Sequence, residues 1–165
     1  MIRYDDHFNH NEWFVIIALI AGILIVYFLP RRFSNQTAGV FLVCGVFFGF
    51  LFDQTLSISP LSFYDIGDTS HFELTDFLSQ CMYGPYGYLF FYLYSRLSIK
   101  PKFSPIYILV WALISIGFEK LATILDVFHY KNGNNLYYSF GIYLAVLSIW
   151  VLLYHLVKSY GHKQY

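Results

Sequence analysis

Hydrophobic residues occur along this chain in five long runs that are separated by polar connections. The runs cover Trp13 to Leu29, Thr37 to Leu56, Phe77 to Leu97, Ile106 to Leu125 and Leu136 to Val157. Each run is long enough to cross a hydrocarbon core of roughly 30 Å, because an α-helix rises about 1.5 Å per residue. The pattern predicts an all-α bundle of five transmembrane helices, with residues 1 to 165 forming a single membrane domain.

The composition also indicates that lipid is the solvent. Of the 165 residues, 58% are hydrophobic and only 12% are charged, whereas soluble domains carry roughly 25% charged residues. The leader of the first run, MIRYDDHFNHNE, is acidic where a signal peptide would be basic, and no small-residue cleavage site follows the run. We therefore expect the first run to remain in the mature protein as a span.

The basic residues predict the orientation of the bundle. Seven of the ten fall on the same side of a five-span threading, namely Arg31, Arg32, Arg96, Lys100, Lys102, Lys158 and Lys163. The side rich in Lys and Arg is normally cytoplasmic. We expect the amino terminus outside, the carboxyl terminus in the cytoplasm, and most of the acidic residues at or near the outer face.

The fourth run contains two adjacent charges, Glu119 and Lys120, within an otherwise apolar helix. Small and polar residues recur there at steps of three and four and form one stripe of Ala112, Ser115, Glu119, Ala122 and Asp126. Lys120 is rotated by about 100° from Glu119. Lys120 either extends its long side chain to the outer interface or has a functional role, whereas the short side chain of Glu119 must face protein.

Several other polar residues lie at the depth of Glu119 when residues are counted along the helices. They are Asp53, Gln54, Gln80, Tyr83, Ser139 and Tyr143, and Pro85 should kink the third helix beside them. One hypothesis is an outward-facing polar pocket that binds or conducts a cation, a proton or a small ligand. The alternative is a hydrogen-bonded cluster that fixes helix register. The candidate binding residues are Glu119, Asp53, Asp126, Tyr143, Tyr83 and Ser139.

The longest connection is acidic and leads into the third helix. Ser70 followed by Glu73 has the spacing of a capping box, which predicts a helix start near His71. Small residues four apart, such as Gly45 and Gly49, are expected to allow close helix packing. Cys44 and Cys81 lie at depths too different for a disulfide.

Other chemistries find little support in the sequence. His7, His10, His71 and His129 offer metal donors, but no pattern fixes their geometry, so solvated polar termini are favoured over a metal site. No nucleophile elbow or phosphate-binding glycine loop occurs, so no catalytic residue, cofactor or nucleic-acid partner is predicted. A binding or transport role is favoured over an enzyme.

The succession FYDIGD, FELTDF, YGPYGYLFFYLYSR, VWALISIGFEKLA and NLYYSFGIY, over about residues 63 to 143, resembles small uncharacterised multi-pass membrane proteins of Bacillus-like bacteria. The resemblance implies a bacterial plasma membrane and transfers no functional residue. Two functions stay open: a protein that binds or conducts a cation, proton or small ligand, or a structural or regulatory subunit of a larger membrane protein. The expected partners are the lipid bilayer and either a membrane-protein partner or a second copy of the chain.

Overall fold

The computed structural model describes residues 4, 7–58, 60–69 and 72–161, and this part of the chain folds into five long helices and a two-stranded sheet. The helices and strands are α1 His10–Phe28, α2 Asn35–Phe52, β1 Tyr64–Ile66, α3 Leu74–Arg96, α4 Ser104–Ile124, β2 Phe128–Tyr130 and α5 Leu136–Gly161. A single π-helical turn, Asp53–Ser57, extends α2, and a 3₁₀ turn, Pro101–Phe103, precedes α4.

The predicted all-α class is confirmed, and each predicted run corresponds to one helix. Helices α1 to α4 begin two or three residues before the predicted starts, because polar residues of the first turn belong to the helix without adding to the apolar run. In α1, for example, the Asn11 amide donates to the Asn9 side chain at 3.0 Å, and Glu12 accepts from the Asn9 amide at 2.6 Å. These bonds satisfy donors that a helix start leaves free.

Four of the helices are long and apolar enough to cross a membrane: α1, α2 with its π-helical extension, α4 with its 3₁₀ turn, and α5. The fifth, α3, has 23 residues but a more polar sequence. It begins at Leu74, where Asp76 accepts the amide of Glu73 at 2.8 Å. The predicted capping residue Ser70 and the predicted start near His71 lie outside the described residues.

Helix α3 is the centre of the bundle and packs against α1, α2 and α5. Glycines permit this close approach, as predicted for the second helix. A Cβ atom on Gly45 would lie 2.0 Å from the Tyr83 carbonyl oxygen, and one on Gly22 would lie 2.8 Å from Pro85 Cβ. Helix α3 continues through Pro85, and the remaining interior is filled by aromatic side chains such as Phe90, Phe91 and Trp150.

The connections after α2 and α4 each contain a short strand, which the sequence did not predict. The strands are antiparallel and place Tyr64 opposite Tyr130, and Ile66 opposite Phe128. Because side chains alternate across a strand, these four residues share one face of the sheet. We call this sheet, residues 64–66 and 128–130, the lid, since its residues line the top of a cavity in the bundle.

The opposite face of the lid is held by polar contacts. Asp65, which is buried, forms an ion pair with Lys131 and accepts a hydrogen bond from the Tyr4 hydroxyl at 2.9 Å. Tyr4 also stacks on His129 with 3.8 Å between ring centroids. Burial, together with the hydrogen bond to Asp65, raises the pKa of Tyr4 to about 12. Tyr4 is thereby attached to the lid.

Candidate functional site

A cavity of about 100 Å³ lies inside the bundle, directly beneath the lid. This volume accommodates about three water-sized groups, since one water takes up roughly 30 Å³ in the liquid. The ends of α2 and α3 form one wall, and α4 and α5 form the other. Polar lining residues come from all four helices: Asp53, Gln80, Tyr83, Tyr86, Ser115, Glu119, Ser139 and Tyr143.

Glu119 is the best-coordinated group in the cavity wall. Its Oε1 atom accepts hydrogen bonds from Ser139 Oγ at 2.5 Å and from the Tyr130 hydroxyl, and its Oε2 atom accepts one from the Tyr143 hydroxyl at 2.6 Å. The residue is 7% exposed. A carboxylate offers about four acceptor positions, so three hydroxyl donors leave room for one further donor.

The polar side chains of α4 and α5 meet because residues four apart lie on the same face of a helix. Ser139 and Tyr143 are four residues apart and therefore share one face of α5, which packs against α4. On α4, Ser115 and Glu119 have the same spacing. The Ser115 hydroxyl contacts the Tyr86 hydroxyl at 2.6 Å and donates to the Trp111 carbonyl at 2.9 Å. The predicted inward stripe of α4 is therefore buried from Ala112 to Glu119.

A second buried carboxylate, Asp53, lies on the other side of the cavity. Asp53 is 6% exposed and accepts a hydrogen bond from Gln80 Nε2. It is the first residue of the π-helical turn that ends α2, and such turns are frequent at functional sites. Asp53 and Glu119 therefore bind to different partners, although both line one cavity.

Two buried polar atoms of the cavity wall lack a hydrogen-bond partner among the described residues. They are Gln80 Oε1, on a residue that is 0% exposed, and Trp150 Nε1, on a residue that is 3% exposed. More than nine in ten buried polar groups in proteins are paired. Two residues of the cavity lining therefore carry an unpaired acceptor and an unpaired donor, and Glu119 has a free acceptor position.

The lining has a marked charge and aromatic bias. Among the residues that the structure describes, neither Lys nor Arg lines the cavity, whereas two carboxylates do. Aromatic rings supply much of the remaining wall, namely Phe48, Phe52, Tyr64, Tyr83, Tyr86, Phe128, Tyr143 and Trp150. Ring faces carry negative charge density and attract cations. Carboxylates and ring faces thus favour the same sign of charge in a ligand.

The lid contributes two tyrosines to this site. Burial raises the pKa of Tyr130 well above its ordinary value, and the hydrogen bond to Glu119 raises it further. Burial is also the main cause of the raised pKa of Tyr64. Both hydroxyls therefore stay protonated in the physiological range, and that of Tyr130 remains a donor to Glu119.

Five of the six candidate residues line the cavity, namely Glu119, Asp53, Tyr83, Ser139 and Tyr143. Asp126 does not. It lies after the end of α4 with a φ of 55°, is exposed, and forms part of the turn in which the Val127 amide donates to the Ala122 carbonyl at 2.9 Å. That turn closes the helix and rotates Asp126 out of the stripe.

Gln54, which was expected in the polar layer, and Lys120, the neighbour of Glu119, do not line the cavity. Gln54 is exposed, because the helical rotation that buries Asp53 turns its neighbour outward. Lys120 is exposed as well and does not line the cavity. Its position fits extension toward the interface better than a role beside Glu119.

The residues that sequence reasoning missed are Tyr130, Tyr64 and Trp150. The two tyrosines belong to connections that were not expected to pair. The available signal was the alternation of apolar and polar residues in FYDI and VFHY, since residues two apart share a face of a strand. Trp150 lies in the apolar run from Leu136 to Val157, and no sequence feature marks its indole nitrogen as unpaired.

The described residues contain no group of three or more His, Cys, Asp and Glu side chains that could hold a metal ion. Cys44 and Cys81 are free thiols. His71, one of the candidate metal donors, lies outside the described part of the chain.

No family model, no curated protein and no solved structure matches this chain. The chemistry of the cavity itself therefore carries the functional argument. Its distinguishing features are the buried Glu119 with three hydroxyl donors, the unpaired atoms of Gln80 and Trp150, and an acidic, aromatic lining.

Proposed function

We propose that this protein is an integral membrane protein that binds a small cation in the cavity beneath the lid. The observation that carries the proposal is Glu119, a buried carboxylate with a free acceptor position, in a cavity that no Lys or Arg of the described part of the chain lines. Intramembrane carboxylates are expensive and commonly mark ligand or ion sites. The unpaired Gln80 Oε1 supplies a second acceptor for a cationic donor.

The proposal includes the arrangement in the membrane. Helix α3 would be the fifth span beside the four apolar helices, and the lid would face outside. The distribution of charges supports this orientation: the acidic residues Asp53, Asp65, Asp76 and Glu119 lie at the lid end, and the basic connections lie at the other. A ligand would then enter from outside, and the resemblance noted above would make the membrane a bacterial plasma membrane.

The dimensions of the cavity restrict the class of ligand. About 100 Å³ admits a partly hydrated alkali ion, an ammonium ion or a very small primary amine, but not a drug-sized molecule. N–H donors suit the acceptor oxygens of Glu119 and Gln80, and the aromatic rings of the lining favour a weakly hydrated cation. We therefore expect ammonium or methylammonium to bind more tightly than sodium.

Thermal unfolding of the purified protein in phosphatidylcholine nanodiscs tests the proposal. Sodium, potassium, ammonium and methylammonium chlorides are titrated at constant ionic strength. Binding to the folded state raises stability by about 2.7 kcal/mol when the free ligand is at 100 times Kd. We expect a saturable stabilisation that is largest for the N–H cations. A response that is equal for all four salts, or that never saturates, would contradict a specific site.

Flux assays then separate binding from conduction. Vesicles that contain the protein are loaded with a pH-sensitive or cation-sensitive dye, and the preferred cation is added outside. A flux that requires Glu119 would indicate conduction, whereas binding without flux would indicate a receptor-like or regulatory role.

One observation is compatible with the alternative of a membrane subunit. Little of α1 is buried inside the bundle, and the side chains of Ile17, Ile20 and Ile23 are each at least half exposed. This apolar face fits lipid and fits a helix of a partner equally well. Extraction in mild detergent followed by mass spectrometry distinguishes them: a stoichiometric second protein in the absence of cation binding would support the subunit function.

A further inference from the structure

A second cavity lies at the end of the bundle opposite the lid and has a volume of about 790 Å³. Its walls are the connection after α1, the first turns of α2, the end of α3 with the following connection, and the last turns of α5. The cavity is thus built from four separate segments that meet in the folded bundle. We call it the basic groove, after its lining residues Arg32, Lys100 and Lys158.

The charge of the basic groove is entirely of one sign. Arg32, Lys100 and Lys158 line it together with His155, and no Asp or Glu of the described residues belongs to the lining. The sequence has no acidic residue at 13–52, 77–118 or 127–165, and these ranges include every segment that forms the groove. Within the described part of the chain, no carboxylate pairs with these three cations. Their charge is available to an anionic ligand.

Arg32 is held in a fixed position at the groove. Its Nε atom donates to Ser95 Oγ at 2.7 Å, and one terminal nitrogen donates to the Ser95 carbonyl at 2.7 Å. The guanidinium therefore connects the segment before α2 to the end of α3. A guanidinium has five N–H donors, so the two bonds to Ser95 leave three for a ligand. A planar donor of this kind suits phosphate oxygens.

The other groups of the groove fit an amphipathic ligand. Hydroxyl groups occur beside the cations, on Ser34, Thr37 and Ser98, while Phe33, Ile99 and Val157 supply apolar walls. An ion with no apolar part would leave these walls unused. A phospholipid presents a phosphate together with glycerol and acyl carbons, and basic pockets between membrane helices bind such head groups.

We propose that the basic groove binds the phosphate of an anionic phospholipid, with Arg32 as the main phosphate ligand and Lys100 and Lys158 as supporting cations. The site is independent of Glu119 and of the cavity beneath the lid. Its position at the basic end of the bundle matches the cytoplasmic leaflet, where anionic lipids attract basic residues. A free phosphate would be recognised by the same groups, and the experiment below distinguishes it from a lipid.

The test compares two matched triple variants. The groove variant carries Arg32→Gln, Lys100→Gln and Lys158→Gln. The control variant carries Arg31→Gln, Arg96→Gln and Lys102→Gln, which removes the same charge from the same end of the bundle without altering the lining of the groove. Neutralisation is expected to weaken binding about fivefold per residue. The groove variant should therefore lose roughly a hundredfold in affinity, and the control should lose far less.

Native mass spectrometry of the protein from mild detergent measures binding of phosphatidylglycerol against phosphatidylcholine. Ser95→Ala, which preserves all charges but removes an acceptor that orients Arg32, should weaken phosphatidylglycerol binding several-fold, and Ser148→Ala on the exposed face of α5 should not. Binding of a soluble ligand is tested separately, by measuring thermal unfolding in phosphatidylcholine nanodiscs with and without inorganic phosphate.

Tight phosphatidylglycerol binding that the groove variant loses and the control variant retains would support the proposal. Equal loss in both triple variants would overturn it, because general surface attraction would then explain the binding. Equal binding of the two lipids by the unaltered protein would also overturn it. Stabilisation by inorganic phosphate alone, equal to that by the lipid, would replace the lipid with a soluble phosphate.

Discussion

Replacement of Glu119 by Gln tests the central carboxylate with almost no change in shape. Glu119 receives three hydroxyl donors, two at Oε1 and one at Oε2. The Gln side chain has one acceptor oxygen and one NH₂ group. The hydroxyl next to that NH₂ group, which is Tyr143 if the amide nitrogen takes the Oε2 position, must rotate and accept instead of donate.

The change should affect ligand binding more than folding. A hydrogen bond to a charged group contributes about 1.5 to 3 kcal/mol and a neutral one about 1 kcal/mol. The variant therefore loses about 0.5 to 2 kcal/mol per bond, but it no longer buries a charge, and this offsets part of the loss. A bound cation at about 4 Å instead loses an attraction of roughly 4 kcal/mol at an effective dielectric constant of 20.

We therefore expect Glu119→Gln to weaken cation binding at least about a hundredfold, which corresponds to about 2.7 kcal/mol. In the nanodisc unfolding assay, the cation concentration is set at 100 times the Kd of the unaltered protein. The stabilisation should then fall from about 2.7 to about 0.4 kcal/mol, because the ligand is only at the Kd of the variant. Without ligand, the variant should unfold at a modestly lower temperature than the unaltered protein, because removing the buried charge offsets only part of the lost hydrogen bonding.

Asp126→Asn is the matched control for this variant. It removes the same charge about two turns further along the chain, at an exposed residue outside the cavity. Asn also tolerates the positive φ of 55° found there. Full cation-dependent stabilisation in Glu119→Gln, or its loss in both variants, would refute the assignment of Glu119 as the ligand-binding carboxylate.

Three further predictions concern packing, the lid and pH, and thermal unfolding measures each. Gly45→Ala should destabilise the protein by more than about 3 kcal/mol, since the new Cβ would lie 2.0 Å from the Tyr83 carbonyl oxygen, whereas Gly39→Ala, with no atom within 4 Å, should be nearly neutral. Tyr130→Phe should cost about 1.5 to 3 kcal/mol through loss of its bond to Glu119, and an unchanged stability would contradict that bond. Because the pKa of Tyr4 is raised from 10.0 to about 12, its contribution should be complete below pH 10.0 and disappear as pH rises through about 12, and Tyr4→Phe should lack this alkaline loss.

The helices could be predicted from the sequence because the lipid requirement is severe. A spanning segment must satisfy its backbone internally and present apolar side chains over about 20 residues, so Ile106 to Leu125 could hardly be anything but a helix. Counting residues along such helices also gives depth. For this reason Glu119, Ser139 and Tyr143 were placed at one level correctly before their contacts were known.

The lid could not be predicted, because its strands are three residues long and pair across more than sixty residues of chain. Such pairing is decided by where the helix ends lie, and no local pattern encodes it. The position of Asp126 was mispredicted for a related reason. The prediction continued the helical periodicity to Asp126. In the structure α4 ends at Ile124, and Asp126 has a left-handed backbone conformation.

The lid explains how a carboxylate can persist at this depth of the bundle. Ser139 and Tyr143 come from the helix beside Glu119, but the third hydroxyl, that of Tyr130, is available only when β2 pairs with β1. Formation of the sheet thus completes the coordination of Glu119, and Asp65 with Lys131 and Tyr4 secures the sheet from the other side. A cation that bonds the remaining acceptor position of Glu119 should therefore stabilise the lid as well as the cavity. Hydrogen exchange of the β2 amides should slow on ligand addition, and it should not slow in Glu119→Gln.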